Sequence, residues 1–150
     1  MQEIFEISDR FINAADASHL LYEPVDGSLT FRRTRRYEVE AEGDRDKLEK
    51  FIKATLLDDI SQELHFGEDS ALEDFVFVLE YGMKPGALDL EKEAILTYYN
   101  GIKDPGFELK DLKIRQRIYL FGDKDAKSDR FVRDICNAAI HNWSVISGNV

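Results

Sequence analysis

Twice along this chain, a strand of strict apolar–polar alternation stops at a Gly-Asp turn and passes into an amphipathic helix. In the first instance Leu29, Phe31, Arg33, Arg35, Tyr37, Val39 and Ala41 alternate with Thr30, Arg32, Thr34, Arg36, Glu38 and Glu40. That period of two marks a strand with one covered face. Asp26-Gly27 supplies a turn before it and Glu42-Gly43-Asp44 a break after it. In the second, Leu112, Ile114, Gln116, Ile118 and Leu120 alternate with Lys113, Arg115, Arg117, Tyr119 and Phe121. Its stop, Gly122-Asp123-Lys124-Asp125, matches Gly43-Asp44-Arg45-Asp46. The helices that follow share one spacing: Leu48, Phe51, Ile52, Thr55 and Leu56 in one, Val132, Ile135, Cys136, Ala139 and Ile140 in the other. Asp44, and Asp125 or Ser128, are their N-caps. Internal repetition of this kind points to one supersecondary unit used twice.

The flanking segments complete each unit less evenly. Phe75-Val76-Phe77-Val78-Leu79 is apolar on both faces and reads as a central strand. A turn at Gly82–Gly86 follows, then a helix from Leu90 to Asn100, capped by Asp89. Ala94, Ile95, Tyr98 and Ile102 give that helix its buried stripe, and Gly101 is its C-terminal glycine. The first half opens with a poorer strand, Glu3 to Ile12, and a helix confined to Asn13–Glu23. Gln62–Phe66 and Val145–Val150 close the halves as short strands, and Trp143 packs the end of the last helix. The expectation is an α+β fold of two tandem β-α-β-α-β units, residues 1–68 and 73–150, with helices on one face of each sheet. Units of about 75 residues are marginal alone, so the copies should pack as an internal pseudo-dimer. Gly67-Glu68-Asp69-Ser70 is the natural seam.

Composition narrows the partners. Thirty acids against twenty bases leave a net charge of −10, which repels a phosphate backbone unless the bases are segregated. Arg32-Arg33-Thr34-Arg35-Arg36 is the one basic cluster and lacks basic flanks, so no nucleic-acid partner is expected. The longest apolar run, Phe75–Leu79, has five residues, whereas a membrane-spanning helix needs roughly 20. Met1-Gln2-Glu3-Ile4 lacks the pattern of a secretory signal. A cytoplasmic chain without a membrane partner is the expectation. Cys136 has no partner for an internal disulfide and reads as a buried, inert thiol. His19, His65 and His141 lie in three different elements, so no metal site is expected. Asn142-Trp143-Ser144 fits the glycosylation pattern, but a cytoplasmic chain does not meet that machinery. No serine–histidine–acid set, phosphate-binding glycine loop or carboxylate pair stands out, so no catalytic residue and no cofactor is assigned.

The second half resembles the PurS family, the small subunit of phosphoribosylformylglycinamidine synthase. The residues that carry the likeness are Met83-Lys84-Pro85-Gly86-Ala87-Leu88-Asp89 between a strand and a helix, then the strand Asp111-Leu112-Lys113-Ile114-Arg115-Gln116-Arg117-Ile118-Tyr119-Leu120. Ala139-Ile140-His141-Asn142 resembles the end of the family's closing helix. The first half resembles the later part of the same unit, from Phe31–Val39 to Leu56–Ile60. Two tandem copies are similar to the duplicated N-terminal region of the large, fused form of the enzyme. The resemblance implies a non-catalytic scaffold, as a subunit or an N-terminal domain, that holds synthetase and glutaminase parts in register for ammonia transfer. It makes Lys84, Pro85, Gly86 and Asp89 the candidates for docking those partners. Since the first half lacks the Lys-Pro-Gly loop, such a contact is made once per chain.

On their own residues, Lys84-Pro85-Gly86 is also simply a strand-to-helix turn, with φ fixed at Pro85 and permissive at Gly86. Arg35 and Gln116 fall in the middle of otherwise apolar strand faces. Because a buried, unpaired arginine is costly, Arg35 either meets a carboxylate across the two halves or is moved to the surface by a bulge. A structural role is favoured over anion binding. The competing functional reading is a tandem α+β regulatory domain that senses an amino acid or a nucleotide.

Overall fold

The computed structural model describes residues 1–11, 13–24 and 29–148. The strands are β1 (Gln2–Asp9), β2 (Ala15–Asp16), β3 (Thr30–Gly43), β4 (Gln62–Phe66), β5 (Phe77–Met83), β6 (Phe107–Phe121) and β7 (His141–Ser147). The helices are α1 (Arg45–Leu56), α2 (Leu90–Asn100) and α3 (Asp129–Ile135). All strands belong to one sheet of order β4-β1-β3-β6-β5-β7, with β2 paired to part of β3. Every pairing is antiparallel. The fold is α+β, and no helix among the described residues is long and apolar enough to cross a membrane.

The long strands β3 and β6 pair along their whole length, from Thr30↔Phe121 to Gly43↔Phe107, with a bulge at Glu40/Ala41. Their alternation sets the faces. Direct cross-strand partners point the same way, so Ile7, Arg35, Gln116 and Tyr81 form one row across four strands. On one side of that row, Phe5, Tyr37, Val39, Leu112 and Ile114 pack beneath Leu48 and Ile52 of α1 and Ile95 of α2. On the other side, Phe77, Leu79, Ile118 and Leu120 pack beneath Phe131 of α3 and beside Ala17. Helices thus cover one face, as the alternation leads one to expect.

The opposite face is covered over part of its area, around Glu6, Thr34, Arg117 and Tyr119, and open at Glu40, Asp111 and Lys113. The segment from β4 to β5 starts at an edge and crosses β1, β3 and β6 to reach its place in the sheet. On the way Ala71 N–H donates to Glu6 (3.2 Å), and the Phe75 ring meets Tyr119 edge-on at 5.2 Å. The seam at Gly67–Ser70 is therefore the start of a cover over the sheet rather than a spacer between two separate layers.

Several elements differ from expectation. The helix expected over Asn13–Glu23 is instead β2 and a 3-10 turn, Ala17–Leu20, capped by Asp16. Ala17 N–H bonds Leu29 O, and β2 pairs with β3, so the strand's open edge takes the backbone groups a helix would have used. The turn at Asp26-Gly27, Ile12 and Val150 lie outside the described residues. Strand β5 begins at Phe77, not Phe75, and runs through Gly82 into Met83. In α2 the buried residue is Ile95, with Tyr99 packed beside it, whereas Ala94 and Tyr98 are exposed. Polar anchors rotate the helix: Tyr99 OH donates to Phe107 O (2.9 Å) and accepts from Leu109 N–H (3.2 Å). Gly101 has ordinary right-handed φ, and the reversal falls to Asp104 and Gly106.

The last helix is shorter than its stripe implies. It ends at Ile135, so Ala139 and Ile140 lie outside it, and Ser128 caps it without a side-chain bond. Asn137 explains the stop. Its Oδ1 accepts from Ala139 N–H, and its own N–H donates to His141 Nδ1, local bonds that compete with the helical ladder. The chain then joins β5 in the register Met83↔His141 to Phe77↔Ser147. His141 and Asn142 are consequently strand residues, and Trp143 stands opposite Tyr81 on an edge strand, 43% exposed, rather than packed on the helix.

Candidate functional site

The Lys84–Ala87 turn exists because β5 leaves the sheet early. Pairing of β5 with β6 begins at Tyr81↔Gln116, so the outer edge of β6 from Arg115 back to Asp111 carries no strand. Lys84 N–H is fixed to Ile140 O and Ala87 N–H to Lys84 O (2.8 and 3.0 Å), and Gly86 takes φ of 88°. Pro85 presets the turn and Asp89 caps α2, accepting from Lys92 N–H (3.1 Å). Between this turn and the bare edge of β6 lies a cavity of about 460 Å³.

All four docking candidates, Lys84, Pro85, Gly86 and Asp89, line that cavity. So do Lys92, Asp111, Lys113, Arg115 and Asn142, which sequence reasoning did not connect to the turn. Lys113 and Arg115 occupy the polar phase of β6 and carry no one-dimensional signal that β5 will diverge beside them. Gly82 forms part of the wall by necessity: a Cβ there would lie 2.9 Å from Ile114 O.

Arg35 and Gln116 are brought together elsewhere, as direct partners at the middle of the β3/β6 pairing. Arg35 donates from a terminal guanidinium nitrogen to Glu91 Oε1 (2.7 Å), and Tyr37 OH donates to the same oxygen (2.6 Å). The first-half arginine thus meets a carboxylate from the second half. Burial, followed by the bond to Glu91, raises the Tyr37 pKa well above its ordinary value. The Arg35 side chain is about one-third exposed, so this pair orients α2 more than it stabilises the fold.

The most buried polar group was not anticipated. Glu6 Oε1 accepts from Arg117 (3.0 Å) and from Ala71 N–H; Glu6 Oε2 accepts from Thr34 Oγ1 (2.5 Å) and from Tyr119 OH. Arg117 Nε donates to Glu80 Oε2 (2.7 Å), and Glu80 Oε1 lies 3.3 Å from Arg115 Nε. Three strands and the crossing segment are tied through one carboxylate, and Arg117 carries the tie on to Glu80 of β5. Burial and the Glu6 charge push the Tyr119 pKa up to about 12. Every lone pair of Glu6 is used, which makes this a structural network rather than a reactive one.

The remaining candidates stay apart. His19 lies in the 3-10 turn, His65 in β4 and His141 in β7. Among the described residues, no group of three His, Cys, Asp or Glu side chains could hold a metal ion. Cys136, half-buried at the end of α3, has its thiol pKa pushed up by burial, which disfavours the reactive thiolate. No family model, curated protein or solved structure matches this chain.

Proposed function

We propose that this chain is a PurS-like scaffold, a subunit or N-terminal domain of a cytoplasmic, glutamine-dependent phosphoribosylformylglycinamidine synthase of purine biosynthesis. One observation carries the reading. Within residues 1–68 the sheet order is β4-β1-β3, and within residues 73–150 it is β7-β5-β6. In each half the last strand lies outermost, the first in the middle and the long strand against its counterpart, β2 being an addition to the first half alone. Two copies of one unit about a pseudo-two-fold at β3/β6 would give this order, with Arg35↔Gln116 near its middle, and the order supports the reading on that ground. The Lys84–Ala87 turn, present in one copy only, is then the docking element for the synthetase and glutaminase parts, with Asp89 fixing the start of α2 behind it.

In this role the chain performs no chemistry. It positions a glutaminase so that ammonia reaches a synthetase without loss to water. Reconstitution of the amidotransferase with and without residues 1–150 tests this. Glutamine-dependent product formation should require the chain, while turnover on added ammonia should persist without it. Replacing Lys84-Pro85-Gly86 by three serines should weaken assembly while changing stability by less than about 1 kcal/mol. Conversion of substrate by the chain alone, or unchanged glutamine-dependent turnover in its absence, would overturn the proposal.

A further inference from the structure

The cavity beside the Lys84–Ala87 turn has a charge that the rest of the molecule does not lead one to expect. The chain carries −10 overall, yet four cations, Lys84, Lys92, Lys113 and Arg115, share this cavity with two carboxylates, Asp89 and Asp111. Both carboxylates are already engaged. Asp89 Oδ1 accepts from Lys92 N–H and Asp111 Oδ1 from Leu112 N–H. The ammonium groups of Lys84, Lys92 and Lys113 have no ion-pair or hydrogen-bond partner among the described residues. Lys84 and Lys92 are nevertheless half-buried. Three ammonium groups lining one cavity without a carboxylate partner repel one another, and an anion seated among them relieves that repulsion.

Beside the cavity Arg36 and Arg115 are direct cross-strand partners, a like-charge juxtaposition in which Arg115 has Glu80 at 3.3 Å. Arg36 Nε is buried and unpartnered, and Glu38 approaches only its Nη2 at 3.7 Å. A volume of about 460 Å³ exceeds the need of a lone ion and falls in the usual range of small-molecule sites.

We propose that this cavity binds a small phosphorylated molecule, its phosphate held by Lys84, Lys92, Lys113 and Arg115. A phosphate offers several charged acceptor oxygens, which suits three point-charge lysines and one arginine fork better than a single carboxylate does. Asp89 and Asp111 each keep a second oxygen for a hydroxyl or amine of the same molecule. The site does not depend on the scaffold reading: a ligand can bind here whether or not the turn docks a partner.

Inorganic pyrophosphate is the probe. Calorimetric titration of the 150-residue chain should give saturable one-site binding, and amide shifts should concentrate at residues 82–92, 111–115 and 142. The Lys84→Gln/Lys113→Gln double variant should bind at least about tenfold more weakly with its melting temperature unchanged, and Lys92→Gln alone should act in the same direction. Lys53→Gln, on the exposed face of α1, should bind as the parent does. Shifts scattered over remote lysines, an equal loss in Lys53→Gln, or no saturation by about 10 mM would overturn the proposal. So would tighter binding of a single-stranded oligonucleotide than of pyrophosphate at equal phosphate concentration, since that would make the ligand a polymer.

Discussion

Glu6 and Arg117, each 2% exposed, show how much one residue pair can decide in this fold. Removing one member of a buried ion pair leaves the other charge stranded, a loss of about 3–5 kcal/mol. Arg117→Met should therefore lower unfolding free energy by that amount in urea titrations, and adding Glu6→Gln should recover part of it. Tyr119 makes the pair sensitive to alkali. Its folded pKa, about 12, lies above the ordinary value of 10.0, so the fold favours the neutral phenol. That contribution is complete below pH 10 and is lost as pH rises from 10 towards 12. The urea midpoint should drop over this window, by about 2 kcal/mol of stability for a shift of this size; the Tyr119→Phe variant should show a smaller drop, with buried Tyr37 still titrating. None of this was legible in the alternation. It places Arg117 and Tyr119 in the polar phase of β6, and period two cannot say that a crossing segment will cover that phase.

At the scale of elements, local signals sufficed wherever backbone groups are satisfied locally. Asp44 caps α1 and Asp89 caps α2, each through its side-chain oxygen, and both helices start where the sequence places them. Asp89→Ala should cost about 1 kcal/mol, read as a lower melting temperature with little change in far-ultraviolet circular dichroism. Elements set by distant partners were misread. Residues 13–23 have a composition that permits a short helix, yet the unpaired edge of β3 recruits Ala15 and Asp16 as a strand. Residues 139–142 continue an apolar helical stripe, yet pairing with β5 and the Asn137 bonds end α3 first. For α2 the span was legible but not the buried face, because Tyr99 and Glu91 find their partners on β6 and β3 only after the sheet forms.

The molecule as a whole has two apolar clusters but one sheet. The fourteen-residue pairing of β3 with β6 and the Glu6–Arg117 bond both cross the line between the halves. Scanning calorimetry should accordingly show a single transition with matching calorimetric and van't Hoff enthalpies; two resolved transitions would show that the clusters melt independently. The sequence by itself determined the α+β class, the strand–turn–helix segments around Gly43 and Gly122, and the covered face of the long strands. These follow from periodicity and from caps, which depend on residues a few positions apart. Only the tertiary structure decided that the halves join into one continuous sheet, that the second face is buried around a carboxylate, and that Lys113 and Arg115 meet the Lys84 turn. Those outcomes rest on hydrogen bonds and charges between residues up to 113 positions apart, and no local pattern encodes which distant edge a strand will take.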